Sequence, residues 1–184
     1  MNVTGFDIPG PLLIEPRRHE DARGFFSEVW KEEWLAEMGL ATRFVQDNHS
    51  LSRAAGTVRG LHFQRPPSAQ GKLVRCVRGA IFDVAVDIRR GSATFGRFIT
   101  AELSDQNWHQ LWIPPGFAHG LCTLTDDAEV LYKVDAPYDA AADCAVRWDD
   151  PAIGIDWPCA GPALLSDKDR TAPLLAEFML REAK

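Results

Sequence analysis

Residues 81–90 read Ile-Phe-Asp-Val-Ala-Val-Asp-Ile-Arg-Arg. Phe82, Val84, Val86 and Ile88 alternate with Asp83, Ala85 and Asp87, a period of two that belongs to a β-strand. Short runs of the same kind lie on either side. KLVRCVRG (72–79) precedes it, and RFITAEL (97–103), HQLWIPPGFAHGLCTL (109–124) and AEVLYKVDAPY (128–138) follow. Turn signals such as Arg78-Gly79-Ala80 and Arg90-Gly91-Ser92 separate them. Many short strands at close spacing predict a mainly β fold, an antiparallel sandwich or small barrel. The pleat sets Asp83 and Asp87 on the face opposite Phe82, Val84, Val86 and Ile88. Two carboxylates on one strand face are most often solvated; the alternative is a polar lumen in which one of them orients a base.

Helical spacing is confined to two segments. In SEVWKEEWLAEMGL (27–40), Trp30, Trp34, Leu35 and Met38 recur at helical intervals and Gly39 can stop the helix. In TAPLLAEFMLREAK (171–184), Thr171 is a candidate cap, Pro173 suits a first turn, and Leu174, Leu175, Phe178 and Met179 form an apolar stripe. The expected organisation is one domain over residues 1–184, with a barrel core at about 45–140 on which the N-terminal strands and helix and the C-terminal helical segment pack.

Bulk properties narrow the function classes. The chain has 184 residues, 46% of them apolar, and a net charge of −6 without a block of Lys or Arg. That disfavours nucleic acid and membrane surfaces as partners, while leaving room for an anionic small ligand held by a few cations aimed into a pocket. Four cysteines without C-x-x-C spacing indicate neither a zinc knot nor a disulfide framework. With no signal-peptide pattern and no apolar run of membrane-spanning length, the expected location is the cytoplasm.

Three clusters could carry chemistry. Arg59, His62, Gln64 and Lys72 fall within TVRGLHFQRPPSAQGKLVR (57–75). Arg59 and Lys72 can meet a phosphate or an oxyanion, and His62 can exchange a proton near neutrality. His119 follows a Pro-Pro-Gly turn in WIPPGFAHGL (112–121), and Tyr132 lies in the apolar run VLYKV. Taken singly, each is as well read as structural, and Tyr132 as core. The chain has no H-x-H pair, so a bound metal is not expected.

Together, DARGFFSEVW (21–30), QDNHSLSRAAGTVRGLHFQ (46–64), GKLVRCVRGAIFDVAVDIRRGSATFG (71–96), WIPPGFAHGL, WDDPAIGIDWP (148–158) and LSDKD (165–169) resemble the dTDP-4-dehydrorhamnose 3,5-epimerase family. The motifs occur in the same order from about residue 5 to 175, and the pairing of R-G-L-H-x-Q with I-P-x-G-F-A-H-G is highly specific. The resemblance implies a cupin-type jelly-roll barrel, usually a homodimer, that uses neither metal nor organic cofactor. It further implies a dTDP-4-keto-6-deoxyhexose substrate, inverted at C3 and C5 through an enolate to give dTDP-4-dehydro-L-rhamnose.

By the same resemblance His62 is the general base, Asp169 its carboxylate partner, Asp83 a second carboxylate nearby, Lys72 the enolate stabiliser and Tyr132 the acid on the opposite face. Arg23, Glu28, Gln46, Asn48, Arg59, His119 and Lys168 match substrate contacts, and Tyr138 matches an aromatic that stacks on thymine. Some contacts on the nucleotide side come from the partner subunit. The family's usual Glu is replaced here by Asp143, whose shorter side chain puts that contact in question. A 5-epimerase or 3-epimerase for another deoxysugar shares most of these motifs. A non-catalytic sugar-nucleotide-binding barrel is disfavoured by the retention of His62 and Tyr132, and a metal-dependent cupin oxygenase by the ligand count.

Overall fold

The computed structural model describes residues 1–40, 42–159 and 161–181. Two antiparallel sheets face each other. One contains β1 (Asn2–Gly5), β2 (Leu12–Glu15), β10 (Gln110–Ile113), β7 (Lys72–Arg78), β12 (Ala128–Val134) and β5 (Gln46–Ser52), in that spatial order. The other contains β13 (Asp143–Ala145), β6 (Val58–Gln64), β11 (Phe117–Thr123), β8 (Ala80–Asp87) and β9 (Phe98–Ser104). Strands β7 and β8 are joined by a single residue, Gly79, yet lie in different sheets. This is the jelly-roll barrel that the family resemblance implies, within the antiparallel sandwich or small barrel that the strand spacing predicts. A separate hairpin, β3 (Arg18–Asp21) and β4 (Gly24–Ser27), forms its own two-stranded sheet.

Alternation along each strand sorts its side chains into two layers. Between the sheets, Val74, Cys76, Leu111, Ile113 and Val130 meet Ile81, Ala85, Ile99, Leu103, Phe117 and Leu121. On the outer face of the five-stranded sheet, Leu61, Phe63, Val84, Val86 and Ala118 are covered by Val146, Ile153 and Leu175, with Trp157, Phe178 and Met179 packed at the edge. Phe82, Val84 and Val86 of β8 therefore face this outer layer, and Asp83 and Asp87 share the inward face with Ile81 and Ala85. Both carboxylates are fully buried, as the resemblance favours for Asp83 and against the solvated reading that the strand pattern alone gives the pair. The C-terminal segment supplies the cover that makes the difference. Asp87 is held by Arg89, Ser92 and Thr94 in the loop beyond β8; Asp83 belongs to the site described below.

The helices are shorter than their spacing predicts. The first, α1 (Glu32–Glu37), begins late because Ser27 is still in β4 and Lys31 at its N-cap makes no side-chain capping bond. Gly39, at φ 71°, ends it as expected. Near the other end of the chain Thr171 does not open a helix. It closes α2 (Asp167–Arg170), donating from its hydroxyl to the Asp167 carbonyl at 2.8 Å. The last helix, α3 (Leu175–Arg181), starts after Pro173. Its first amide donates to Asp150, distant in sequence, at 2.7 Å. Residues 182–184 of the expected segment lie outside the described residues.

Candidate active site

Strict alternation on β6 would send Arg59 and His62 to opposite faces, because they are three residues apart. Both nevertheless line the same interior cavity. The pairing of β6 with β11 matches His62 to His119 and Arg59 to Leu121, so β6 carries one extra residue between these pairs. Such a bulge turns both side chains inward. Gly60 makes it possible: its φ is 130°, and a Cβ there would stand 2.5 Å from Gly120 Cα and 2.8 Å from the His119 carbonyl oxygen. The Gly60 amide also donates a hydrogen bond to Asp169.

Asp169 reaches His62 across 107 residues of sequence, with Oδ1 accepting from Nε2 at 2.5 Å. Its side chain is 3% exposed against 31% for His62. Burial alone would raise the Asp169 carboxyl; hydrogen bonds from His62, Ser166 Oγ (2.8 Å) and the Gly60 amide outweigh it and hold the group below its ordinary range. A carboxylate on Nε2–H leaves Nδ1 as the basic nitrogen, so the pair fixes the tautomer of His62. Ser166 in turn accepts from the Asp169 amide at 3.1 Å as the N-cap of α2. This reciprocal cap escaped the sequence reading although Ser-x-x-Asp is its signal.

A second carboxylate–imidazole pair lies beside the first. Asp83 Oδ1 accepts from His119 Nε2 at 2.7 Å. Burial pushes His119 below the ordinary histidine range, against the pull of Asp83, and so favours the neutral ring that donates from Nε2. Asp83 Oδ2 is buried and has no hydrogen-bond partner. Lys72, on β7 of the facing sheet, is 8% exposed, and its Nζ donates weakly to the His62 carbonyl at 3.4 Å. Burial pushes the Lys72 ammonium down to about 8, with Asp83 and Asp143 pulling the other way.

Tyr132 stands on β12. Two cavities, of about 420 and 390 Å³, share His62, Lys72 and Tyr132 in their walls. The first adds Arg59, His119, Asp169 and Ser166; the second adds Gln46, Asn48, Gln64, Tyr138, Asp143 and Lys168. Burial raises the Tyr132 phenol above its ordinary range, so it stays protonated and able to donate. Asp143 Oδ2 accepts from Lys168 Nζ at 2.5 Å and from the Tyr138 hydroxyl at 3.2 Å, so the shorter carboxylate still joins the wall of the second cavity. Gln64, which the sequence reading noticed without assigning, is 6% exposed. Its amide nitrogen donates to the Ser68 and Pro137 carbonyls and its oxygen accepts from the Asp139 amide. It thereby braces the loop that carries Tyr138.

Arg23 and Glu28 are not brought to these cavities. Arg23 is at the tip of the β3–β4 hairpin, paired with Asp21, and Glu28 pairs with Lys31. Among the described residues no cluster of three or more His, Cys, Asp or Glu side chains is arranged to hold a metal ion. Chemically, the first cavity offers a base backed by a carboxylate, a cation and, on the facing sheet, a protonated phenol. Those are the parts needed to move a proton on and off a carbon acid.

The family model described as dTDP-4-dehydrorhamnose 3,5-epimerase matches residues 5–177. The chain belongs to this family. It is 57% identical over 178 residues to dTDP-4-dehydrorhamnose 3,5-epimerase of Sinorhizobium fredii, covering 97% of this chain and 91% of that one. Identity to the enzyme of the same name from Salmonella typhimurium is 50% over 183 residues, covering 99% and 100%. Among solved structures, the crystal structure of a dTDP-6-deoxy-D-glucose-3,5-epimerase from Legionella pneumophila in complex with dTDP-4-keto-L-rhamnose superposes with a TM-score of 0.92. Identity there is 43%, covering 95% of this chain and 93% of that one.

Proposed function

We propose that this chain is a dTDP-4-dehydrorhamnose 3,5-epimerase, an isomerase that inverts C3 and C5 of a dTDP-linked 4-keto-6-deoxyhexose on the way to dTDP-L-rhamnose. The observation that carries the reading is the shared cavity that the His62–Asp169 pair lines from one sheet and Lys72 and Tyr132 line from the other. The C4 ketone acidifies the hydrogens on both neighbouring carbons, so one base serves two inversions. His62 Nδ1 removes the proton, and the Lys72 ammonium stabilises the charge that grows on the C4 oxygen. The Tyr132 hydroxyl returns a proton from the other face. Inversion needs two faces, since one base returning its own proton gives exchange without stereochemical change.

The second cavity is suited to the nucleotide end, with Gln46, Asn48 and Lys168 as polar contacts and Tyr138 as the ring that stacks on the base, while Arg59, in the first cavity, is the cation for the diphosphate. The whole chain then acts as one epimerase domain. Arg23 and Glu28 fit a homodimer in which each subunit's hairpin reaches its partner's cavity. Support comes from Phe25 and Phe26 on that hairpin, 58% and 67% exposed in the single chain. A cytoplasmic location accords with the absence, among the described residues, of a helix long and apolar enough to cross a membrane, and with four cysteines present as thiols.

The test is incubation with dTDP-4-keto-6-deoxyglucose in deuterated water. Deuterium at both C3 and C5, with formation of the L-sugar, is the expected result. Label at one carbon alone would replace this reading with a 3- or 5-epimerase, and no label would end the case for catalysis.

A further inference from the structure

On the outer face of the barrel, away from the proton-transfer groups, two thiols touch. Cys122 on β11 is fully buried, Cys159 is half-buried, and their sulfurs are 3.4 Å apart across 37 residues of sequence. Cys159 lies between two anchored residues, Trp157 and Leu164. Upstream, Trp157 donates from its indole to the Trp148 carbonyl at 2.8 Å and packs against Phe82; a Cβ at Gly120 would lie 3.3 Å from its ring. Downstream, Leu164 exchanges backbone hydrogen bonds with Gly56 (3.0 Å) and Val58 (2.9 Å). The two sulfurs therefore sit in contact between anchored segments, and closing to a bond length of about 2.05 Å asks for an approach of only about 1.4 Å.

We propose that Cys122 and Cys159 are a thiol-oxidation site that low-molecular-weight disulfides convert to an intramolecular disulfide, stapling the C-terminal segment to β11. The segment so tied runs on through Leu164, Leu165 and Ser166, which line the catalytic cavity, to Asp169. Of the two sulfurs, Cys159 is the one solvent reaches. Burial and the neighbouring thiol push Cys122 up to about 12. The Cys159 thiolate attacks one sulfur of glutathione disulfide, forming a mixed disulfide and expelling glutathione thiolate. Cys122 then attacks the Cys159 sulfur, its proton leaving with the second glutathione. Two protein thiols are oxidised and one small disulfide is reduced to two thiols, so the exchange balances and excess reduced glutathione reverses it.

The experiment uses the full-length protein, reduced, desalted and incubated with glutathione disulfide. Titratable thiols in denaturant should fall from four to two. The intact mass should fall by about 2 Da, and digestion should give one linked peptide pair containing Cys122 and Cys159. The apparent Tm should rise by about 5 °C or more, since the bond closes a long loop in the unfolded chain. Epimerase activity should survive heating several-fold longer than in the reduced protein. Cys159→Ser should show none of these changes, with unaltered activity at room temperature, and Cys122→Ala should stop at the glutathione adduct on Cys159, without the linked pair or the rise in Tm. A persistent glutathione adduct on Cys159, a disulfide involving Cys76 or Cys144, or an unreactive native protein would each overturn the proposal. A linked protein with a lowered Tm would refute the staple.

Discussion

Replacing Asp169 with Asn tests how the base is made. The carboxylate receives three hydrogen bonds, from His62 at 2.5 Å, from Ser166 Oγ at 2.8 Å and from the Gly60 amide. Asn can keep its oxygen on His62 and turn its NH₂ to Ser166 Oγ, which has a lone pair to spare. Shape and most of the hydrogen bonding survive; the charge does not. A hydrogen bond to a charged group contributes roughly 1.5–3 kcal/mol against about 1 for a neutral one, so the loss at the imidazolium is about 1–2 kcal/mol, roughly 5–30-fold in proton abstraction. The assay is deuterium wash-in at C3 and C5, followed by mass spectrometry. The rate should drop by that factor. An unchanged rate would refute the pairing as part of the base. A collapse to the level of His62→Ala would give Asp169 a direct proton-transfer role instead.

Tyr132→Phe should still exchange deuterium while formation of the C5-inverted sugar slows by about 10²–10⁴-fold; exchange lost as completely as inversion would refute the two-sided division of labour. Lys72→Met should lose about 10²–10³-fold in kcat, as for other removed oxyanion donors. The same variant should be more stable at pH 7 by about 1–3 kcal/mol, because burial lowers Lys72 from 10.5 to about 8 and so penalises its charged form in the fold. The penalty is full below about pH 8 and fades as pH rises toward 10.5, where the folded chain has already released the proton that the unfolded chain still holds. Urea denaturation at pH 7 and pH 10 should therefore show the larger gain at pH 7, and equal gains would refute burial of the charge as the cause.

How much of this was legible in advance depends on the length of sequence each feature uses. The period of two along residues 81–90 reported a strand directly, and motifs spaced along most of the chain were enough to indicate the family. The lengths of the helices were less legible. Ser27 suits a helix start by composition, but pairing with Arg18 places it in a strand; Thr171 suits a cap, but the preceding turn claims it. Ser166-x-x-Asp169 is a capping signal contained in one turn, whereas the pairing of Asp169 with His62 spans 107 residues and was indicated only by the family resemblance.

The sequence by itself determined that β8 has an apolar face and an acidic face, and that His62, Lys72, Tyr132 and Asp169 are the residue types proton transfer needs. Which face looks inward was decided only in three dimensions. Asp83 and Asp87 are buried because residues from Val146 to Met179 cover Val84 and Val86 from outside. A strand pattern fixes relative orientation and says nothing about which side another segment will cover. Arg59 and His62 share a cavity only because a glycine bulge adds one residue to β6, a register change visible solely in the pairing with β11. By contrast, Arg23 at the tip of the hairpin and Glu28 just beyond it sit away from the cavity of their own chain. Local chemistry is written residue by residue; convergence on one cavity is a property of the packed sheets.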